Sequence, residues 1–316
     1  VLKHASNVSR VALDIERIFQ ESGLPEGIFK TVLVPGAETG SLIEDGRIAA
    51  VTLTGSDAAG VAVASASGHA LKKNVLELGG SDAFIVLEDA DLNAAAQTAV
   101  RARFQNTGQS CIAAKRFIVV ESVARTFEQK FVDATAKLQM GDPLDRATQV
   151  GPMSRGDLRD ALHQQVRAST AMGAQILLGG KPRDGKGYYY KPTIITNVTT
   201  DMPIFNEETF GPVAAVIHAR DAEHALELAN DSDFGLGGNL WTSNLDEARK
   251  LARRIESGGV FINGMTASDP RLPFGGVKRS GYGRELSSFG IREFVNIQTI
   301  WIGAMLNAAP TQVASE

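Results

Sequence analysis

The chain contains one cysteine, Cys111, and, 34 residues before it, a glutamate, Glu77, set among apolar neighbours. Cys111 follows Asn106-Thr107-Gly108-Gln109-Ser110 and precedes Ile112-Ala113-Ala114. A lone cysteine is most often a small buried hydrophobe. This polar, turn-forming run is a poor core segment, however, and the two alanines leave space around the sulfur. A thiolate in such a loop suits attack on an aldehyde carbonyl, giving a thiohemiacetal whose oxyanion the Cys111 backbone N–H helps to hold. Glu77 lies in Val75-Leu76-Glu77-Leu78-Gly79-Gly80. One acid in a strand can simply face solvent, but apolar neighbours and two glycines favour a partly buried carboxylate. Burial raises its pKa toward the range of a general base. It would then activate water against a thioester, and also take the thiol proton.

Other segments present cofactor or substrate chemistry. Thr54-Gly55-Ser56 and Gly60 place two glycines five apart at a strand-to-helix turn, which offers amides and a helix N-terminus to phosphate. Alone this is an ordinary helix start, and it is not the GxGxxG fingerprint. Lys3, at a strand end, reaches a ribose or a phosphate, or is merely solvated. Glu207-Glu208-Thr209-Phe210-Gly211-Pro212 joins paired acids to an aromatic turn, and the glycine-dense run 273–281 carries one aromatic, Phe274. By themselves these two read as a surface turn and a connector.

An α/β chain must position these residues. Val8, Val11, Ala12, Ile15, Ile18 and Phe19 follow helical spacing, with Asn7 as N-cap and Gly23 as stop. Strands are predicted at 31–34, 48–53 and 74–78, and helices at 41–45 and 57–70. This alternation predicts a parallel sheet with helices on its faces. Further strands are predicted at 83–87, 116–121, 175–178, 213–219, 238–242 and 259–262, and helices at 91–104, 122–138, 154–172, 222–230 and 245–257. Residues 179–190 and 265–277 read as loops, 294–302 as a last apolar strand suited to pairing with another subunit, and 307 onward as a loose tail.

Composition narrows the class. The 316 residues suffice for about two domains. A net charge of −4 with interspersed signs offers no basic block for nucleic acid or an anionic membrane, and no apolar run is long enough to span a bilayer. One cysteine excludes an intrachain disulfide and fits a reducing compartment, so the expectation is a cytoplasmic protein. No metal site is expected.

Taken together, the segments resemble the NAD(P)-dependent aldehyde dehydrogenase superfamily. Its glutamate motif appears as Leu76-Glu77-Leu78-Gly79-Gly80 and its cysteine motif as Gly108-Gln109-Ser110-Cys111. Residues 207–213 match EExFGPV, residues 273–281 match PFGGxKxSG, and Asn263 matches within Phe261-Ile262-Asn263-Gly264. Lys3-His4-Ala5, Gly79-Gly80-Ser81-Asp82 and the run 265–269 look most like the bacterial succinate-semialdehyde dehydrogenase branch.

The resemblance implies an aldehyde dehydrogenase-like fold: an incomplete Rossmann-type cofactor domain (1–78), an α/β catalytic domain (79–288), an oligomerisation strand (289–303) and a tail (304–316). It implies oxidation of an aldehyde, with succinate semialdehyde as the preferred substrate, by NAD or NADP in a homodimer or homotetramer. Cys111 would be the nucleophile and Glu77 the deacylation base. Lys3 and Ser6 would face the adenosine ribose, Gly55 and Ser56 the pyrophosphate, Glu208 the nicotinamide ribose, and Phe210 the nicotinamide; Leu78 would also belong to the cofactor site. Ser6 stands where a ribose-binding glutamate is common, which removes a charge that would repel the 2′-phosphate of NADP. Arg271 is the first candidate for the substrate carboxylate, with Ser110 and Arg103 behind it, and Phe274 would also belong to the substrate site. Family chains have a section ahead of the lysine that includes an oxyanion-hole asparagine. The chain therefore reads as N-terminally truncated, and a catalytically impaired fragment is one alternative. A CoA-acylating dehydrogenase is another, against which the glutamate motif argues for hydrolysis.

Overall fold

The structure is a computed structural model that describes residues 1–303; the tail expected at 304–316 lies outside the described residues. The chain opens with β1 (Leu2–Lys3), α1 (Ser9–Glu21), β2 (Thr31–Val32), α2 (Thr39–Glu44), β3 (Ala50–Thr54), α3 (Asp57–His69) and β4 (Lys73–Glu77). It continues through β5 (Ala83–Val86), α4 (Leu92–Phe104), β6 (Arg116–Val120), α5 (Glu121–Thr135), α6 (Gly156–Ala171), β7 (Gln175–Leu178), β8 (Thr193–Thr196) and α7 (Pro203–Asn206). Then come β9 (Val213–Ala219), α8 (Ala222–Asn230), β10 (Phe234–Gly235), β11 (Gly237–Trp241), α9 (Leu245–Ala252), β12 (Gly259–Ile262), β13 (Val277–Lys278), β14 (Gly281–Tyr282) and α10 (Ser287–Glu293).

The main sheet has seven strands in the order β12-β11-β5-β6-β9-β8-β7, all parallel except the β7–β8 pair at one edge. Its central strands are continuous apolar runs because both faces are covered. Alternation sorts their side chains between two cores. Phe84, Val86, Phe117 and Val119 meet the alanines of α4 and Phe127 and Phe131 of α5 on one face. Ile85, Ile118 and Ile217 meet α6, α8 and α9 on the other. Asp91 caps α4 by accepting from the amides of Asn93 and Ala94. Asn7 caps nothing, because α1 follows a 3-10 turn at Ser6–Val8 and has no side-chain cap.

The opening segment departs from a single parallel sheet. β3 and β4 pair in parallel, but β14 pairs antiparallel with β4, placing Gly281 opposite Glu77. β1 and β2 form a separate parallel pair. The strand expected at 294–302 is not formed. Among the described residues beyond α10, 294–303, there is no regular structure, and Ile297 and Trp301 are 91% and 88% exposed. A strand needs an edge to pair with, and none within the described residues meets this segment. Among those residues no helix is long and apolar enough to cross a membrane.

Candidate active site

β4 carries Glu77 at its last position. Val75 and Leu76 before it and Leu78 after it are buried, and Leu76 and Leu78 pack with Val63 of α3, so the strand is pinned in place. Glu77 is 2% exposed, and neither carboxylate oxygen has a hydrogen-bond partner. Burial, reinforced by the nearby Glu285 carboxylate and opposed by Arg284, pushes its pKa up to about 7. A Cβ at Gly275 would stand 2.9 Å from Glu77 Oε1, so the 273–281 loop packs against the carboxylate.

Cys111 follows a strained turn. Asn106, Thr107 and Gly108 have φ values of 50°, 58° and 71°. The two non-glycine residues cost on the order of 1–3 kcal/mol each, a conformation that persists only where surrounding contacts impose it. Arg103, fully buried at the end of α4, imposes it. Its guanidinium donates to the carbonyls of Gly108 (2.7 Å), Ala114 (2.9 Å), Thr209 (3.2 Å) and Gly211 (2.5 Å). This overturns Arg103 as a substrate anchor, because its charge is spent inside the protein on four backbone oxygens. Cys111 itself is half-buried, and its backbone N–H makes no hydrogen bond among the described residues. Burial pushes the thiol pKa up, the Lys115 charge pulls it down, and Asp82 and Glu77 push it up again.

Gly79 and Gly80 bring the two halves together. A Cβ at Gly80 would stand 2.6 Å from the Cys111 carbonyl oxygen, and one at Gly79 2.6 Å from Glu208 Oε2. The Gly80 amide donates to Glu208 Oε1 at 3.0 Å. Lys115, 1% exposed, donates to the carbonyls of Cys111 (2.8 Å) and Ser110 (3.1 Å) and lies 3.4 Å from Glu208 Oε1.

The remaining candidates fall into groups. The Gly55 amide donates to the Glu77 carbonyl at 2.9 Å, tying the turn before α3 to the end of β4. Ser56 caps α3 by accepting from the Ala59 amide. The Leu78 side chain lies where a Cβ at Gly60 would have to be, and its amide donates to Ser280 at 3.0 Å. Phe210 is half-buried two residues beyond Glu208. Phe274 exchanges backbone hydrogen bonds with Glu285 and lines a cavity of about 470 Å³ with Val260, Ile262 and Leu272. Lys3 and Ser6 belong to the separate β1–β2 region, where Ser6 is exposed. Arg271 is exposed, and its guanidinium engages Asp269 through two hydrogen bonds, at 2.9 and 2.6 Å, beside a third from its backbone N–H. Asn263 is structural, since its side-chain amide bonds both the N–H and the C=O of Thr242.

The sequence profile of the aldehyde dehydrogenase family matches residues 1–300. The chain belongs to that family. It is 56% identical over 301 residues to succinate semialdehyde dehydrogenase [NAD(P)+] Sad of Escherichia coli (strain K12), an alignment covering 95% of this chain and 65% of that protein. It is 52% identical to the succinate-semialdehyde dehydrogenase [NADP(+)] of Mycobacterium avium (strain 104), covering 96% of this chain and 64% of that one. The chain thus spans just under two thirds of the length of these curated relatives. The crystal structure of succinic semialdehyde dehydrogenase from Streptococcus pyogenes in complex with NADP+ superposes with a TM-score of 0.93 at 39% identity, over 96% of this chain and 67% of that one.

In this aldehyde dehydrogenase chain Arg103 and Lys115 shape the Cys111 loop, and sequence reasoning assigned neither residue that role. The sequence carries no local signal for it, since each is a cation beside a polar turn that does not reveal which carbonyls it reaches. The isolated Glu77 carboxylate carries a stability consequence. Its folded pKa of about 7 exceeds its ordinary value of 4.5, so ionisation opposes folding increasingly across that window. Glu77→Gln should therefore stabilise the protein above pH 7 by on the order of 2–3 kcal/mol, an advantage that fades toward pH 4.5. Urea melts at the two pH values would check it; equal gains at both would remove the buried-charge account.

Proposed function

We propose that the protein oxidises an aldehyde, preferentially succinate semialdehyde, to the carboxylate with NAD(P)+. The observation that carries this reading is the convergence of Cys111, Glu77 and Glu208 on the Gly79–Gly80 connection. A carboxylate with no hydrogen-bond partner and a pKa near 7 is suited to taking a proton from water at neutral pH.

The residues present fit a dinucleotide. The Ser56-capped N-terminus of α3 directly follows β3, as phosphate binding requires. Glu208 Oε1 takes both its protein contacts, while Oε2 makes no hydrogen bond among the described residues and is available to ribose hydroxyls. The exposed Ser6 places no negative charge where a 2′-phosphate would lie, which supports NADP as well as NAD. When bound, NAD(P)+ supplies the hydride acceptor.

Cys111, deprotonated with help from Glu77 or solvent, adds to the aldehyde carbon through Sγ. Its uncommitted backbone N–H is an oxyanion donor. Cys111 holds the substrate carbon first as a thiohemiacetal and, once oxidised, as a thioester. Glu77 then deprotonates a water that attacks the thioester, releasing the carboxylic acid and the thiolate. We place the protein in the cytoplasm because its one cysteine suits a reducing compartment. The exposed apolar side chains at 295–302 support assembly into a homodimer or homotetramer.

With succinate semialdehyde and NADP+, the expected products are NADPH and succinate in equal amounts, unchanged by added CoA; formation of a CoA thioester would select the acylating reaction instead. Arg271 is proposed as the partner of the distal carboxylate, exchanging Asp269 for substrate. Arg271→Ala should raise KM for succinate semialdehyde by about tenfold, the worth of one charge-assisted contact, and leave KM for an uncharged aldehyde unchanged. An unaltered KM for succinate semialdehyde removes Arg271 from that position.

A further inference from the structure

Lys115 is a buried cation four residues beyond the nucleophile, and the mechanism above does not use it. It lies at the start of the run that enters β6, with its amide donating to the Asp82 carbonyl at 3.0 Å, so its backbone is fixed by the main sheet. From there its side chain turns back. Nζ grips the carbonyl of Cys111 at 2.8 Å and that of Ser110 at 3.1 Å, and its remaining near neighbour is Glu208 Oε1 at 3.4 Å.

The hold on the Cys111 carbonyl has a geometric consequence. C=O and N–H point opposite ways across a planar trans peptide. Fixing the Cys111 oxygen toward Lys115 therefore also fixes the N–H of Ile112, on the opposite side of that peptide. Lys115 also brings a positive charge to the thiol. The other charges facing Cys111 are the carboxylates of Asp82 and Glu77, both of which oppose the thiolate. Arg103 and Asp82 face Lys115 itself, and Arg284 and Glu285 face Glu77. Among these groups Lys115 is the one cation set against the sulfur.

We propose that Lys115 is a positioning residue for the nucleophile: it holds the Cys111–Ile112 peptide in place, brings a cation to the Cys111 loop, and shares that charge with Glu208, so that the state of Glu208 is felt at Cys111. The proposal rests on Cys111 being the nucleophile, but it concerns the thiol itself and is readable without turnover. A dehydrogenase reading that fails shows as absent product whatever the thiol does. This inference fails only in the thiol's own titration.

Because the chain has one cysteine, alkylation by iodoacetamide reports Cys111 alone. Its rate is followed against pH on the full chain. Lys115→Met keeps the length and removes the charge. It should raise the pH midpoint of alkylation by about one and slow the reaction at pH 7 about tenfold. Glu208→Gln should lower the midpoint, because Lys115 loses its counter-charge, and that lowering should vanish in the double variant. A folded Lys115→Met protein with the wild-type midpoint overturns the proposal. So does a Glu208→Gln shift of the same size with and without Lys115. If Lys115→Met does not fold, Glu208→Gln alone decides: a lowered midpoint supports the link through Lys115, and an unchanged or raised one overturns it.

Discussion

The Cys111 carbonyl oxygen and the Glu208 carboxylate both lie where side chains at residues 79 and 80 would otherwise be. This close approach is the constraint on which the site depends. β4 ends at Glu77 and β5 begins at Ala83, so the short connection between them runs past the Cys111 loop and the 207–213 turn. Any side chain on Gly79 or Gly80 would separate acid, thiol and Glu208 by the thickness of a methyl group or more. In catalysis, misplacement of about 1 Å is costly on the order of a hundredfold in rate. The glycines thus serve two sheets at once, since β4 belongs to the small mixed sheet and β5 to the large parallel one.

Charge is buried around this contact, and each buried charge has a counterpart. Arg103 and Arg116 are fully buried, and burial lowers their pKa values to about 9 and about 10, yet both remain charged at neutral pH. Arg103 spends its charge on carbonyls of the cysteine loop and the 209–211 turn. Arg116 spends its charge on the carbonyls of Ser81, Leu228 and Ala229. Asp82 accepts the Gly237 amide, and Lys115 faces Glu208. Glu77 is the exception. Its oxygens are left without partners, and that is the state a base for water needs. The fold bears a carboxylate without hydrogen-bond partners at this position, with Arg284 as its one opposing charge.

Cys111 and Glu77 were legible in the sequence because each is chemically out of place: a thiol in a polar turn, an acid in an apolar strand. The larger elements were legible where periodicity is strong, as in β9, α8 and β12, whose bounds agree with the prediction. β8 was missed although Thr193–Thr196 is fully buried, because it lies between a polar loop and the acidic turn and has only four residues. β14 was beyond reach because its two residues form a strand only against β4, some two hundred positions earlier. Arg103 and Lys115 carry no local mark of their roles, since their partners come from residues 208–211 and from backbone oxygens. The segment 294–302 has a strand's composition without an edge to pair with, which local pattern cannot reveal.

In the proposed division of labour, Cys111 acts on the substrate carbon and Glu77 on the water. Intact-protein mass spectrometry of Glu77→Gln after incubation with succinate semialdehyde and NADP+ tests it most directly. The account predicts a persistent acyl adduct, one per chain and located on Cys111, because the thioester forms but its hydrolysis is slowed. An unmodified protein that releases succinate at the wild-type rate, or an adduct on any other residue, would contradict it.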